Sequence, residues 1–80
     1  MWPSRRDDRL RLYEHASMLY CMRLRHGLTQ LELAKHAGVS RQTISSLERG
    51  RSTPSLALAR VLAARLDLPV EDLFDGAELR

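Results

Sequence analysis

Between Ser4 and Gly27 the chain carries neither glycine nor proline, and its apolar positions recur at the three- and four-residue intervals of a helix face. Leu12, Ala16, Leu19 and Arg23 make one stripe, placed to face a core. Leu10, Tyr13, Ser17, Tyr20 and Leu24 make a second, spaced 3-4-3-4 like a helix-pairing seam. Ser4 offers a cap, with Asp7 in the first turn. The pattern therefore predicts one long first helix of about 20 residues, ended by Gly27.

Shorter elements follow. Thr29-Gln30-Leu31-Glu32 reads as a capping box, in which the Thr29 hydroxyl takes a free amide and Glu32 reaches back to the cap. The helix it opens is stopped near Ala37 by Gly38. Ser40 caps a third helix that runs from Arg41 until Gly50. Thr53-Pro54 then supplies a cap and a proline at the first helical position, where a missing N–H does no harm. A fourth helix extends to about Leu66, Pro69 breaks the chain, and Val70–Phe74 forms a last short turn or helix. Five helices with short loops predict an all-α bundle.

The stretch Gln30–Arg49 meets the demands of two helices crossing steeply through a tight turn. Ala34 is small where the helices approach, and Gly38 tolerates the positive φ that the turn needs. Leu33, Ala37, Val39, Ile44 and Leu47 fill the angle between them. Arg41, Gln42, Thr43, Ser45 and Ser46 are left facing outward, and these short or bidentate hydrogen-bonders suit base edges and phosphates in a major groove.

Composition and charge sharpen this picture. Eighty residues support one modest core and not two, and with one Trp and one Phe that core is aliphatic. Residues 1–26 hold six arginines against three acids, residues 27–60 five Lys/Arg against two, and residues 61–80 two against five. The balance of +3, +3 and −3 suits a chain that turns one face to a polyanion. No apolar run approaches the ~20 residues of a membrane helix, and no apolar stretch follows the N-terminal arginines as in a signal peptide. The expectation is a cytoplasmic protein, nucleoid-associated when bound. Cys21 has no internal disulfide partner, and His15, His26 and His36 lack metal-ligand spacing, so no metal or cofactor is expected. Neither a paired-carboxylate cleft nor a nucleophile with its base is visible, which argues against an enzyme.

From Leu19 to Phe74 the chain resembles the phage-repressor and Cro type of helix-turn-helix domain, the Xre family. The resemblance is carried by Met22-Arg23, Gly27-Leu28-Thr29-Gln30, Leu33-Ala34, Gly38-Val39-Ser40-Arg41-Gln42-Thr43-Ile44-Ser45, Leu47-Glu48-Arg49-Gly50, Pro54-Ser55-Leu56 and Val70-Glu71-Asp72-Leu73-Phe74. It implies a five-helix, lambda-repressor-like fold over residues 19–74; outside the resemblance, residues 1–18 are read as extending the first helix and 75–80 as a short tail. It further implies a homodimer on a two-fold symmetric operator in double-stranded DNA.

By the same resemblance, Thr29 and Gln30 stand at the helix end that holds a phosphate, and Ser40 caps the recognition helix. Arg41, Gln42 and Ser46 match base-reading positions, with Arg41 suited to guanine and Gln42 to adenine. Thr43 and Arg51 support backbone contacts, and Arg23 with Glu48 matches a structural ion pair. Ser46 is short for a reader, and the loop Arg51-Ser52-Thr53 is weakly basic, which predicts a shallow salt dependence.

The stripe Leu10, Tyr13, Ser17, Tyr20 and Leu24 reads as a dimer interface, or else as a segment that folds back on the fourth or fifth helix or widens the core. The cluster Arg5, Arg6, Arg9 and Arg11 reads as solvated helix charge, with a DNA-reaching arm as the alternative. Trp2-Pro3 fits either a loose end or a docking point. The leading function is a transcriptional repressor. Beside it stand an antitoxin, a restriction–modification controller and a protein-interaction module that has lost DNA binding. With six residues after Phe74, regulation is expected from concentration and dimerisation, from a partner protein such as a toxin or co-regulator, or from competition at the operator.

Overall fold

A computed structural model of the chain describes residues 17–74. Five helices lie among them: α1 (Met18–Arg25), α2 (Gln30–Ala37), α3 (Arg41–Glu48), α4 (Leu56–Leu66) and α5 (Val70–Leu73). The α2–α3 pair packs most extensively, α4 supports α2, and α5 closes the bundle against α4 and α1. Leu19, Leu33, Ile44, Leu62 and Leu66 are fully buried where these helices meet. Each such aliphatic side chain contributes about 1.5–3 kcal/mol of burial.

Short polar side chains start the helices as the sequence predicts, with two corrections. Thr29 and Glu32 form the full capping box, and the Ser40 hydroxyl accepts from the Thr43 amide. The first correction concerns α1. Ser17 sits in extended backbone (φ −67°, ψ 156°), and its hydroxyl accepts from the Tyr20 amide. The helix therefore opens at Met18, and the expected unbroken helix from Ser4 to Gly27 is interrupted at Ser17. Residues 1–16, which include Leu10, Leu12 and Tyr13, lie outside the described residues.

The second correction concerns α4. Its cap is Ser55, whose hydroxyl accepts from the Leu58 amide, and not Thr53. Pro54 precedes the cap and is buried. The proline disfavours helical backbone at Thr53, while the next hydroxyl along the chain satisfies an orphan amide of the first turn.

The ends of α2 and α4 share one geometry. After α2, Gly38 takes a left-handed conformation (φ 72°), and the Val39 amide reaches back to the Ala34 carbonyl at 3.0 Å. This is the Schellman arrangement, and it sets the turn between α2 and α3. The same backward bond forms after α4, from the Leu68 amide to the Ala63 carbonyl at 3.1 Å. There the left-handed residue is Asp67 (φ 61°), a non-glycine that the sequence did not flag.

Candidate nucleic-acid interface

The exposed side chains at the start of α3 depend on a polar cluster behind them. Arg23 of α1 and Glu48 at the end of α3 are both buried, their side chains 9% and 4% exposed. Arg23 Nε donates to Glu48 Oε2 at 2.5 Å, and Nη2 donates to Oε1 at 3.2 Å. A third donor, Nη1, reaches the Leu28 carbonyl at 2.8 Å and ties the loop after α1 to the same guanidinium. The guanidinium also lies 5.4 Å from the centre of the Tyr20 ring, within cation–π range. Among the described residues, every buried side-chain nitrogen and oxygen has a hydrogen-bond partner.

Glu48 accepts once more, from Gln30 Nε2 at 3.0 Å. Gln30 in turn accepts, through Oε1, from Arg41 Nη1 at 3.2 Å. Four side chains from three helices thus form one line, running from the interior to the exposed end of α3. The pairing of Arg23 with Glu48 is the one that the sequence resemblance named. The links through Gln30 were not foreseen. They join residues 18 and 11 positions apart, where no helical spacing announces a contact.

The other named residues are placed as follows. Arg41, Gln42 and Ser40 are exposed around the first turn of α3, and Thr43 is half-buried with its hydroxyl 3.0 Å from that of Ser40. Ser46 is half-buried, and its hydroxyl accepts from Ser52 at 3.1 Å, which ties α3 to the loop after it. Arg51 is exposed in that loop, and Thr29 is exposed at the start of α2. The Thr29 N–H donates to the Glu32 carboxylate at 2.8 Å, which holds the Glu32 carboxyl below the usual carboxylate range.

In the second α1 stripe, the Ser17 hydroxyl is engaged as a cap, Tyr20 is half-buried and Leu24 is 43% exposed. Leu10 and Tyr13, like Trp2, the four N-terminal arginines and His15, lie outside the described residues. Cys21 is half-buried, while His26 and His36 are exposed. Among the described residues, no three His, Cys, Asp or Glu side chains cluster as a metal site would require. No described helix is long and apolar enough to cross a membrane.

Comparison with known proteins places this geometry in company. Residues 22–73 match a family model described as helix-turn-helix. An HTH-type transcriptional regulator of Archaeoglobus fulgidus is 50% identical over 59 residues, covering 71% of this chain and 84% of that protein. One of Methanothermobacter thermautotrophicus is 53% identical over 57 residues, covering 65% and 83%. The crystal structure of the restriction-modification controller protein C.AhdI from Aeromonas hydrophila superposes with a TM-score of 0.66 at 35% identity. That match covers 71% of this chain and 86% of that one.

Proposed function

We propose, since this chain belongs to the helix-turn-helix family in its Xre/Cro form, that it represses transcription by binding, as a homodimer, to a near-palindromic operator in double-stranded DNA. The observation that carries this reading is the first turn of α3. It presents Arg41 and Gln42 to solvent while Arg41 is held from behind by Gln30. A helix entering the major groove reads bases with its N-terminal residues. Arg41 has the fork for guanine O6 and N7, and Gln42 the paired donor and acceptor for adenine. Thr29, Gln30, Ser40 and Thr43 near that turn, and Arg51 in the loop past the other end of α3, carry groups suited to phosphate oxygens, contacts that fix register without reading sequence. Ser46 contributes less to base reading, because its hydroxyl is bonded to Ser52.

Selection of bound sequences from a random DNA pool tests the reading. It should return a near-palindrome whose half-sites lie about one helical turn, ~34 Å, apart. Gln42→Ala should weaken specific binding by roughly 1–3 kcal/mol and relax a single base position. Enrichment of no sequence at all would refute sequence-specific binding. A selected site without two-fold symmetry would refute the dimer on a palindrome.

A narrower role is favoured by the likeness to the controller protein C.AhdI: control of a restriction–modification operon. On that reading, the gene lies beside those of a DNA methyltransferase and an endonuclease, and the selected operator lies upstream of them. A different neighbourhood removes the narrower role and leaves the broader one standing.

A further inference from the structure

Among the described residues, a broad apolar groove lies between α1, α5 and the loop that joins α3 to α4. It is lined by Met18 and Met22 of α1, Pro54 of the loop, Leu68 and Phe74 on either side of α5, and the nearly buried Leu47. Its volume is about 910 Å³, room for several side chains on the scale of ligand clefts, roughly 300–1,000 Å³. Met18 is 47% exposed, and Met22, Leu68 and Phe74 are half-buried. Arg25 and Asp72 also line the groove, and among the described residues neither forms an ion pair. Ser17, where the described chain begins, lines it too.

We propose that this groove is the seat of the chain's own N-terminal segment, whose Leu10, Leu12 and Tyr13 cover Met22 and the Phe74 ring. The occupant follows from where the chain goes. Sixteen residues precede Ser17, and they are joined to the groove at that residue. Ser17 stands in extended backbone, which supplies a joint at which a segment can fold back on α1. A segment tethered so closely meets its site at an effective concentration on the order of millimolar, which a second copy in dilute solution does not reach. Its chemistry also matches. Leu10, Leu12, Tyr13 and Ala16 are apolar, while Arg9 and Arg11 offer charge for Asp72 and Glu14 for Arg25. The six residues after Phe74 also start at the groove, but Leu79 is their one large apolar side chain. The family match begins at residue 22, so this contact belongs to the segment added to this chain and not to the shared domain. It takes Leu10 and Tyr13 out of the dimer seam, and leaves the homodimer proposed above to be built on another surface.

The test is NMR of the full wild-type chain, with the Met22 methyl and the Phe74 ring as probes. Both are too far along the sequence from Leu10, Leu12 and Tyr13 to meet them on one continuous helix. Nuclear Overhauser contacts from both probes to those three side chains are the expected result. They should vanish when a mixture of isotope-labelled and unlabelled protein is filtered for contacts between molecules. Their survival in the filtered spectrum would mean that a second copy's segment fills the groove, and overturns the proposal. No contact from either probe to residues 1–16 overturns it as well. A full chain carrying Leu10→Gln, Leu12→Gln and Tyr13→Gln together should lose these contacts and melt at least about 4 °C lower. A melting temperature unchanged in that variant would show that the segment adds nothing to the fold, and would overturn the docking.

Discussion

At the scale of single residues, Arg23 and Glu48 show how a buried ion pair constrains more than stability. Desolvating two charges offsets most of their attraction, so the pair is a weak net stabiliser. Breaking it is different, because the survivor is stranded with its side chain under a tenth exposed. Glu48→Ala should destabilise the fold by about 3–5 kcal/mol in urea denaturation. Replacing both partners with methionine should cost less than that single change. A double variant worse than Glu48→Ala would show that the pair is itself a large source of stability. Glu32 makes a separate, pH-readable case. The Thr29 backbone N–H, and then the Thr29 hydroxyl, depress its folded-state pKa. Its contribution is therefore present above the ordinary carboxylate range and lost as pH falls through the lower folded value. Glu32→Gln keeps an acceptor for the Thr29 amide but cannot titrate. Any advantage in melting temperature of wild type over this variant should shrink as pH is lowered from 7 to about 3. A gap independent of pH would mean that the carboxylate's charge plays no part in the cap.

The elements were legible where their signals are local. The capping box at Thr29 and Glu32, the cap at Ser40 and the left-handed Gly38 each involve groups within a few residues of one another, and all three form. The core positions Leu33, Ile44 and Leu47 followed from the geometry of a tight helix crossing. What failed lay beyond that range or between close competitors. Ser17 caps α1 although no glycine or proline marks the break, and a serine within a helical stripe looks no different in a continuing helix. Thr53 and Ser55 are both good caps two residues apart, and propensity alone does not choose between them. The Gln30–Glu48 bond depends on how α2 lies across α3, which no pattern along the chain encodes. Asp67 was missed because aspartate is an uncommon left-handed residue, and it leaves a small inefficiency at the end of α4. Its carboxylate sits where the helix macrodipole is negative. Asp67→Asn keeps a residue that tolerates this backbone and removes the charge. It should stabilise the fold by about 0.3–1 kcal/mol, read as a rise in melting temperature. A fall would reveal that the carboxylate has a partner worth more than the dipole.

Over the whole molecule, the question is how much of the grip on DNA comes from charge alone. The formal net charge is only +3, and the exposed cations Arg41, Arg49 and Arg51 lie along α3 and the loop after it. The exposed acids Asp67, Glu71 and Asp72 belong instead to the end of α4 and to α5. A protein that neutralises few phosphates releases few counterions, and the logarithm of its affinity falls with log salt at about −0.9 per contact. Arg51 sits in a loop tied to α3 through Ser52 and Ser46, past the end of the helix whose first turn carries Arg41 and Gln42. Arg51→Ala should therefore reduce the salt slope by about one and weaken all sequences alike. Arg41→Ala should instead relax one base position. If Arg51→Ala changed the preferred sequence and left the salt slope untouched, the reading surface would extend past the end of α3 into the Gly50–Thr53 loop, and Arg41 and Gln42 would no longer account for specificity by themselves.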